Sequence, residues 1–246
     1  MRTKYKNMID DFSSYGIELS DRQLEQFNTY YELLIKWNEV MNLTAITDFD
    51  DVCKLHFVDS ISACQYFDFS SKDYSLIDIG TGAGFPGIPL KIIFPNLHIT
   101  LLDSLNKRLN FLNEVIDTLG LNEMGSIKTL HGRAEDYCVA KEGSLRETFD
   151  VAVSRAVANM ATLSEYCLPY VKVGGSFIAY KSEKAQEELK NAKGAIHLLG
   201  GKLVAAEEFL LPDSDFSRTI CIVEKKENTS KKYPRKAGVP SKQPLQ

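Results

Sequence analysis

Apolar positions in the first seventy residues recur at helical spacing. Ser20 precedes a long helical pattern, and Gln23 three residues later completes a capping-box signature. The predicted buried face of this helix comprises Leu24, Phe27, Tyr31, Leu34 and Met41. A second helix is predicted from residue 50 to about residue 66. These patterns predict a helical extension over residues 1–70 that packs on the domain following it.

From residue 71 onward, short apolar runs alternate with helical patterns. The predicted strands are Ser75–Ile79, His98–Leu102, Ile127–His131, Asp150–Ser154 and Gly175–Tyr180. The predicted helices are Ile88–Phe94, Ser104–Leu119, Ala158–Leu168 and Glu183–Leu199. After Gly201 the pattern changes, because Lys202–Leu211 and Arg218–Val223 are two predicted strands with no helix between them. The sequence therefore predicts an α/β fold over residues 71–226: a Rossmann-like, mostly parallel sheet with helices on both faces and a terminal antiparallel hairpin.

The first predicted strand leads into a loop rich in glycine. The segment L-I-D-I-G-T-G-A-G-F-P-G-I-P covers residues 76–89 and contains Gly80, Gly82 and Gly84. Glycine permits a tight turn and lets the backbone approach a ligand closely. Asp103 closes the next strand, about where an acidic side chain meets ribose hydroxyls in nucleotide-binding folds. Together these features predict a nucleotide-type crevice; a tight turn without a ligand is the alternative.

The spacing of the glycines bears on which ligand fits. Gly80, Gly82 and Gly84 form G-x-G-x-G, whereas the dinucleotide fingerprint is G-x-G-x-x-G. Phe85 and Pro86 stand where a pyrophosphate-binding helix would begin, and they suit an adenosine without phosphates. The run D-I-G-T-G-A-G resembles the first motif of the class I S-adenosylmethionine methyltransferases, for which the terminal hairpin is also typical.

Two further motifs follow the third and fourth strands. In H-G-R-A-E-D, Glu135 either accepts a hydrogen bond from an adenine amine or begins the next helix. In F-D-V-A-V-S-R-A-V-A, Arg155 has four open roles: contact with a guanine, a phosphate or the cofactor carboxylate, or a structural salt bridge. The Asn- or Asp-Pro-Pro-aromatic motif of enzymes that methylate exocyclic amines is absent. Cys138 and Cys167 lie in no nucleophile motif of the kind that methylation of cytosine carbon 5 requires.

Composition and charge limit the remaining possibilities. The chain has 246 residues, of which 44% are hydrophobic, and five scattered cysteines that predict reduced thiols. We find no secretion signal, membrane span or metal-ligand spacing, so we expect a cytoplasmic protein without a metal. The net charge of −4 divides into +5 on residues 224–246 and −9 on the rest. A basic tail with three prolines indicates either a nucleic-acid partner or a solubilising segment.

The whole chain resembles the glucose-inhibited division protein B family, the bacterial 16S ribosomal RNA guanine-N7 methyltransferases. The motifs that carry the resemblance are W-N-E-V-M-N-L-T-A-I, H-F-V-D-S, D-I-G-T-G-A-G-F-P-G-I-P-L, L-L-D-S-L-N-K-R-L-N-F-L, G-R-A-E, F-D-V-A-V-S-R-A-V-A and K-Y-P-R-K-A-G-V-P. The resemblance implies methyl transfer from S-adenosylmethionine to N7 of one guanine in 16S rRNA, free or within the small subunit.

The resemblance also implies roles for particular residues. The expected cofactor contacts are Gly80, Phe85, Ala134, Glu135 and Arg155, with Gly82 and Gly84 in the same loop and Asp103 in the ribose segment. Arg155 is also the candidate for positioning the reacting groups. The candidates for RNA contact are Lys181 and, in the predicted flexible tail over residues 227–246, Lys231, Lys232, Arg235 and Lys236. We expect this tail to contribute to RNA binding and to leave cofactor affinity unchanged.

Three side chains near the N-terminal motif have open roles. Trp37 either stacks on a base or packs the helices on the sheet. His56 and Asp59 share a helix face and form either a catalytic pair or a packing pair. Guanine N7 carries a lone pair and no proton, so the expected mechanism is in-line alignment without a general base. The rival hypotheses are a Rossmann oxidoreductase and an RNA-binding module without catalysis.

Overall fold

The protein is described by a computed structural model that covers residues 3–122, 126–155, 158–182 and 185–246. Its strands are β1 (Ser75–Ile79), β2 (His98–Asp103), β3 (Ile127–His131), β4 (Phe149–Arg155), β5 (Val171–Lys181), β6 (Gly201–Leu210) and β7 (Ser217–Lys225). They form one seven-stranded sheet in the order β3-β2-β1-β4-β5-β7-β6. The first five strands are parallel and β7 is antiparallel to both β5 and β6, so the predicted fold class and terminal hairpin are confirmed.

Helices cover both faces of the sheet. They are α1 (Lys6–Ser14), α2 (Asp21–Met41), α3 (Phe49–Val52), α4 (Asp59–Ile61), α5 (Gly87–Ile93), α6 (Asn106–Thr118), α7 (Met160–Cys167), α8 (Ala185–Leu198) and α9 (Val239–Lys242). A π-helical turn over Cys53–Val58 joins α3 to α4, and a 3₁₀ turn over Ser62–Gln65 extends α4. The start of the predicted helix at residue 183 lies outside the described residues.

Alternate residues of each central strand enter two different cores. In β4, Val151 and Val153 pack with the N-terminal helices, whereas Ala152 packs with α7 and α8. Because successive side chains of a strand point to opposite faces, this alternation requires a helical layer on each side. Among the described residues, no helix is both long and apolar enough to cross a membrane.

The N-terminal helices pack directly behind the glycine loop. Ser20 and Gln23 form the predicted capping box at the start of α2. The buried face differs from the prediction at Tyr31 and Met41, which are only partly buried, while Tyr30 is completely buried. The hydroxyl of Tyr30 donates a hydrogen bond to the carbonyl of Ala83, inside the glycine loop. Either tyrosine has the spacing of the buried face of α2. Tyr30 is the buried one because its hydroxyl finds a hydrogen-bond acceptor in the core, the Ala83 carbonyl.

Residues 227–246, for which the sequence predicts a flexible tail, lie against the core in the structure. Thr229 and Pro240 are buried, and Arg235 forms an ion pair with Glu165. Lys225 and Lys226 at the start of the basic segment are also in ion pairs. Within residues 227–246 the four lysines are exposed: Lys231, Lys232, Lys236 and Lys242. The backbone of this segment and Arg235 therefore contact the core, while its lysine side chains face solvent.

Candidate active site

A cavity of about 910 Å³ opens at the carboxyl ends of β1, β2 and β4. Strand order reverses between β1 and β4, since β2 and β3 lie on one side of β1 and β4 and β5 on the other. Open α/β sheets bind ligands at this switch point. Seven of the eight predicted cofactor residues line the cavity: Gly80, Gly82, Phe85, Asp103, Ala134, Glu135 and Arg155.

The eighth residue, Gly84, lies behind the loop. A Cβ added to Gly84 would come within 2.6 Å of the Tyr30 hydroxyl and 2.7 Å of Ile88 Cδ1. The backbone at Gly82 also has a positive φ, of +62°, but an added Cβ there would meet nothing closer than the Gly80 carbonyl oxygen at 4.0 Å. The two glycines thus serve different purposes: Gly82 keeps the cavity open, and Gly84 allows the loop to pack on α2.

Asp78, at the end of β1, holds the glycine loop in shape. Its Oδ2 accepts hydrogen bonds from the Thr81 hydroxyl at 2.7 Å and from the Gly87 amide at 2.9 Å. Its Oδ1 has no partner among the described residues, and burial raises the pKa of this carboxyl to about 6. Sequence reasoning did not assign Asp78 a role, although a lone acid inside an apolar strand before glycine was a visible signal.

Asp103 connects β2 to the same loop. Its Oδ2 accepts from the Gly82 amide at 2.9 Å and from Arg108 Nη1 at 3.2 Å, while its Oδ1 accepts from the Leu105 amide at 2.9 Å. These bonds fix the carboxylate at the cavity wall.

Glu135 lies in the turn after β3 and is buried at the cavity wall. Residues 134–140 form turns and bends, so the alternative in which Glu135 begins a helix is wrong. Instead, its Oε1 accepts a hydrogen bond at 2.8 Å from the backbone amide of Gly238, which is 103 positions further along the chain. Ala134 is fixed by its carbonyl, which accepts from the Tyr170 hydroxyl at 2.6 Å.

A charged and aromatic cluster lies at another side of the cavity, which its members His56, Phe85 and Arg155 line. The Arg155 guanidinium donates to Asp59 Oδ2 at 3.0 Å and lies 3.3 Å from His56 Nδ1. Arg218 donates to the other oxygen of Asp59 at 3.1 Å. The His56 ring stacks on Phe85 with ring centroids 4.5 Å apart. Arg155 therefore makes the structural salt bridge considered from the sequence and also lines the cavity.

His56 is an uncharged member of this cluster. Burial, reinforced by the positive charge of Arg155, lowers the pKa of His56 to about 3. Its Nε2 is 2.8 Å from the Thr44 hydroxyl, and the Thr44 amide donates to the Asn38 side chain at 2.9 Å. Thr44 also lines the cavity, a contribution that sequence reasoning did not assign although it lies within the quoted W-N-E-V-M-N-L-T motif.

The remaining candidates lie outside the cavity. The Trp37 indole donates to Glu114 at 2.8 Å and packs on Phe111, which supports its packing role. Lys181 donates to the Ala158 carbonyl at 2.8 Å and forms an ion pair with Glu188 at 2.6 Å. Among the described residues, no group of three or more His, Cys, Asp and Glu side chains is placed to hold a metal ion.

The fold and the cavity define the class of protein. A parallel sheet with an antiparallel edge hairpin, a glycine loop after β1 and an acid at the end of β2 are the features of class I S-adenosylmethionine-dependent methyltransferases. The fold is similar to the methyltransferase in a Haloferax volcanii complex with the Trm112 methyltransferase activator (TM-score 0.57, 13% identity, 79% of this chain and 98% of that chain). It is also similar to M. jannaschii TYW2, whose structure contains AdoMet (TM-score 0.50, 15% identity, 69% and 77% covered).

The sequence identifies the family within this class. Residues 23–217 match the family described as rRNA small subunit methyltransferase G. A relative of that name from Lachnoclostridium phytofermentans is 53% identical over 237 residues, which cover 96% of each chain. One from Bacillus cereus is 49% identical over 243 residues, covering 99% of this chain and 98% of the relative. The chain belongs to this family and is an S-adenosylmethionine-dependent rRNA methyltransferase.

Proposed function

We propose that the protein methylates N7 of a guanine in 16S ribosomal RNA by alignment alone, without a general base. The observation that supports this mechanism is the state of His56, which lines the cavity, and of Asp59, which pairs with Arg155 behind it. Both carboxylate oxygens of Asp59 are bonded to guanidinium groups, of Arg155 and Arg218. Both ring nitrogens of His56 lie within hydrogen-bond distance of neighbours, and its pKa is lowered to about 3. Neither group is free to take a proton from a substrate.

The residues present fit the cofactor. When bound, S-adenosylmethionine supplies a methyl group on a positively charged sulfur. Asp103 would hold the ribose hydroxyls, because its carboxylate is fixed at the cavity wall by the Gly82 and Leu105 amides. Glu135 and Ala134 would meet the adenine, and Gly80 and Gly82 leave room for the adenosine.

The nucleophile requires little from the protein. Guanine N7 has an in-plane lone pair and no proton, so the reaction needs orientation and exclusion of water. The stacked Phe85 and His56 rings form a rigid wall for this purpose, and Arg155, whose guanidinium lies 5.0 Å from the Phe85 ring centroid, adds a fixed donor. N7 lies in the major groove of a duplex, so the target guanine should be in an irregular or single-stranded region.

Transfer of labelled methyl groups to 16S rRNA, followed by mapping of the modified base, tests the proposal. We expect label at N7 of a single guanine. Label on another atom would refute the N7 assignment and leave the family assignment standing. Cofactor binding without transfer to free 16S rRNA or to assembled small subunits would refute the proposed substrate.

A further inference from the structure

The C-terminal strap, which we define as residues 229–241, lies beside the cavity and contributes two residues to its lining. Gly238 and Ser241 line the cavity together with Glu135 and Tyr166. The family match ends at residue 217, so this contribution comes from outside the matched segment.

The strap is attached to the core at its first residues. The Arg146 guanidinium donates hydrogen bonds to three backbone carbonyls of the strap: those of Thr229, Ser230 (3.1 Å) and Tyr233 (2.7 Å). The Thr229 amide donates to Glu147 at 2.7 Å. Because these bonds are made to main-chain atoms, they fix the path of the backbone. The neighbouring side chains of Lys231 and Lys232 stay exposed.

Arg235 is the central attachment point of the strap. Its Nε and Nη2 lie 3.0 Å and 2.6 Å from the two carboxylate oxygens of Glu165, and its backbone amide donates to the same carboxylate at 2.8 Å. The Glu165 side chain is completely buried. A buried carboxylate is costly unless it is paired and hydrogen-bonded, so Arg235 is held firmly in this position.

Beyond Arg235 the strap reaches the cofactor residues. The Gly238 amide donates to Glu135 at 2.8 Å, and the Thr162 hydroxyl donates to the Pro240 carbonyl at 3.1 Å. Glu135 is almost completely buried, so this amide determines where one of its two carboxylate oxygens points.

We propose that the C-terminal strap is part of the cofactor site, with the Gly238 amide positioning Glu135 and Arg235 anchoring the strap. Arg235 is thus a positioning residue rather than an RNA contact. The proposal replaces the expectation, drawn from the sequence, that the tail leaves cofactor affinity unchanged. It rests on the proposed function only for the identity of the ligand.

Two truncations separate the strap from the end of the chain. A chain ending at Lys236 keeps the Arg235–Glu165 pair and loses Gly238 and Ser241, whereas a chain ending at Lys242 keeps all of them. We expect the dissociation constant for S-adenosylhomocysteine, measured by calorimetry, to rise on the order of tenfold or more in the shorter chain, because a hydrogen bond to a charged group is lost. The chain ending at Lys242 and the exposed-site control Lys232→Ala should bind S-adenosylhomocysteine like the full chain.

Proteolysis of the full-length protein tests the same proposal without a variant. Saturating S-adenosylhomocysteine should slow tryptic cleavage after Lys236 several-fold, because a ligand that binds only when the strap is in place lowers the population of open strap. Cleavage after Lys6, an exposed residue of α1, is the internal control and should not change.

The outcomes are distinguishable. If the full chain does not bind S-adenosylhomocysteine, the cofactor assignment in the proposed function fails. If it binds, and both the affinity of the chain ending at Lys236 and the cleavage rate after Lys236 are unchanged, the strap proposal alone is overturned. If that truncation does not fold, as judged by circular dichroism, the proteolysis result decides.

Discussion

Gly82 and Gly84 lie two residues apart in the same loop, yet the structure predicts opposite consequences for adding one methyl group. In Gly82→Ala the new Cβ has no neighbour closer than 4.0 Å, and it is added to a residue that lines the cavity. In Gly84→Ala it would lie 2.6 Å from the Tyr30 hydroxyl and 2.7 Å from Ile88 Cδ1. The first change should therefore affect the ligand, and the second should affect the fold.

The magnitudes follow from backbone strain and overpacking. Both positions have positive φ, so either alanine costs about 1–2 kcal/mol of stability. Gly84→Ala adds about 1–3 kcal/mol for overpacking, because Tyr30 is fully buried and cannot move away. At about 2–4 °C per kcal/mol for a chain of this size, we expect Gly82→Ala to lower the melting temperature by roughly 2–8 °C and Gly84→Ala by roughly 4–20 °C.

The assay combines thermal unfolding with calorimetric titration of S-adenosylhomocysteine, at a temperature where both variants are folded. Gly82→Ala should lose at least about tenfold in affinity, which is about 1.4 kcal/mol, since the methyl group occupies the path of the ligand. Gly84→Ala should keep affinity within a few-fold of the wild type. Normal binding of S-adenosylhomocysteine by Gly82→Ala would show that the ligand does not lie against Gly82. A wild-type melting temperature for Gly84→Ala would show that the loop does not depend on its close packing against Tyr30.

Further predictions concern the charged cluster and the exposed strap lysines. In the wild type, burial and Arg155 lower the pKa of His56 to about 3, so its ring is uncharged from about pH 6 to 9 and the single-turnover rate should not change with pH there. His56→Ala should weaken cofactor binding and leave the pH profile equally flat. Asp59→Asn should lower the free energy of unfolding in urea by about 3–5 kcal/mol, since it removes the buried counter-charge of two partly buried guanidinium groups. Lys231→Ala and Lys232→Ala should weaken RNA binding and reduce the log–log salt slope by about 0.7–0.9 per lost phosphate contact, without changing cofactor affinity.

Each of these has a result that counts against it. A wild-type rate limb between pH 6 and 9 that disappears in His56→Ala would reveal an acid–base group and refute the alignment mechanism. Unchanged urea unfolding of Asp59→Asn would show that the ion pair contributes no net stability. Lys128→Ala, an exposed lysine of the edge strand β3, is the charge-matched control for the strap lysines, and an equal salt slope in all three variants would leave the strap without a specific role in RNA binding.

The local part of the site could be predicted from the sequence because its signals are local. Gly80 and Gly82 follow a strand with a visible apolar run, Asp103 ends the next one, and parallel strands bring their carboxyl ends to one edge of the sheet. The contact between Gly238 and Glu135 left no such signal, because it joins positions 103 residues apart through a backbone amide. The net charge of the tail also gave no sign of which basic side chains are paired. Arg235 contributes to that charge, but in the structure it forms an ion pair with the buried Glu165.

The cavity draws its walls from all three predicted regions of the chain. Thr44 and His56 come from the helical extension, Asp103 from the central sheet, and Gly238 and Ser241 from the C-terminal strap. A core limited to residues 71–226 would therefore retain the glycine loop and Asp103 but lose Thr44 and His56 from the cavity wall and the Gly238 amide that donates to Glu135. Since walls that are fixed before a ligand arrives lower the cost of binding it, we infer that the extension and the strap both contribute to binding of the cofactor.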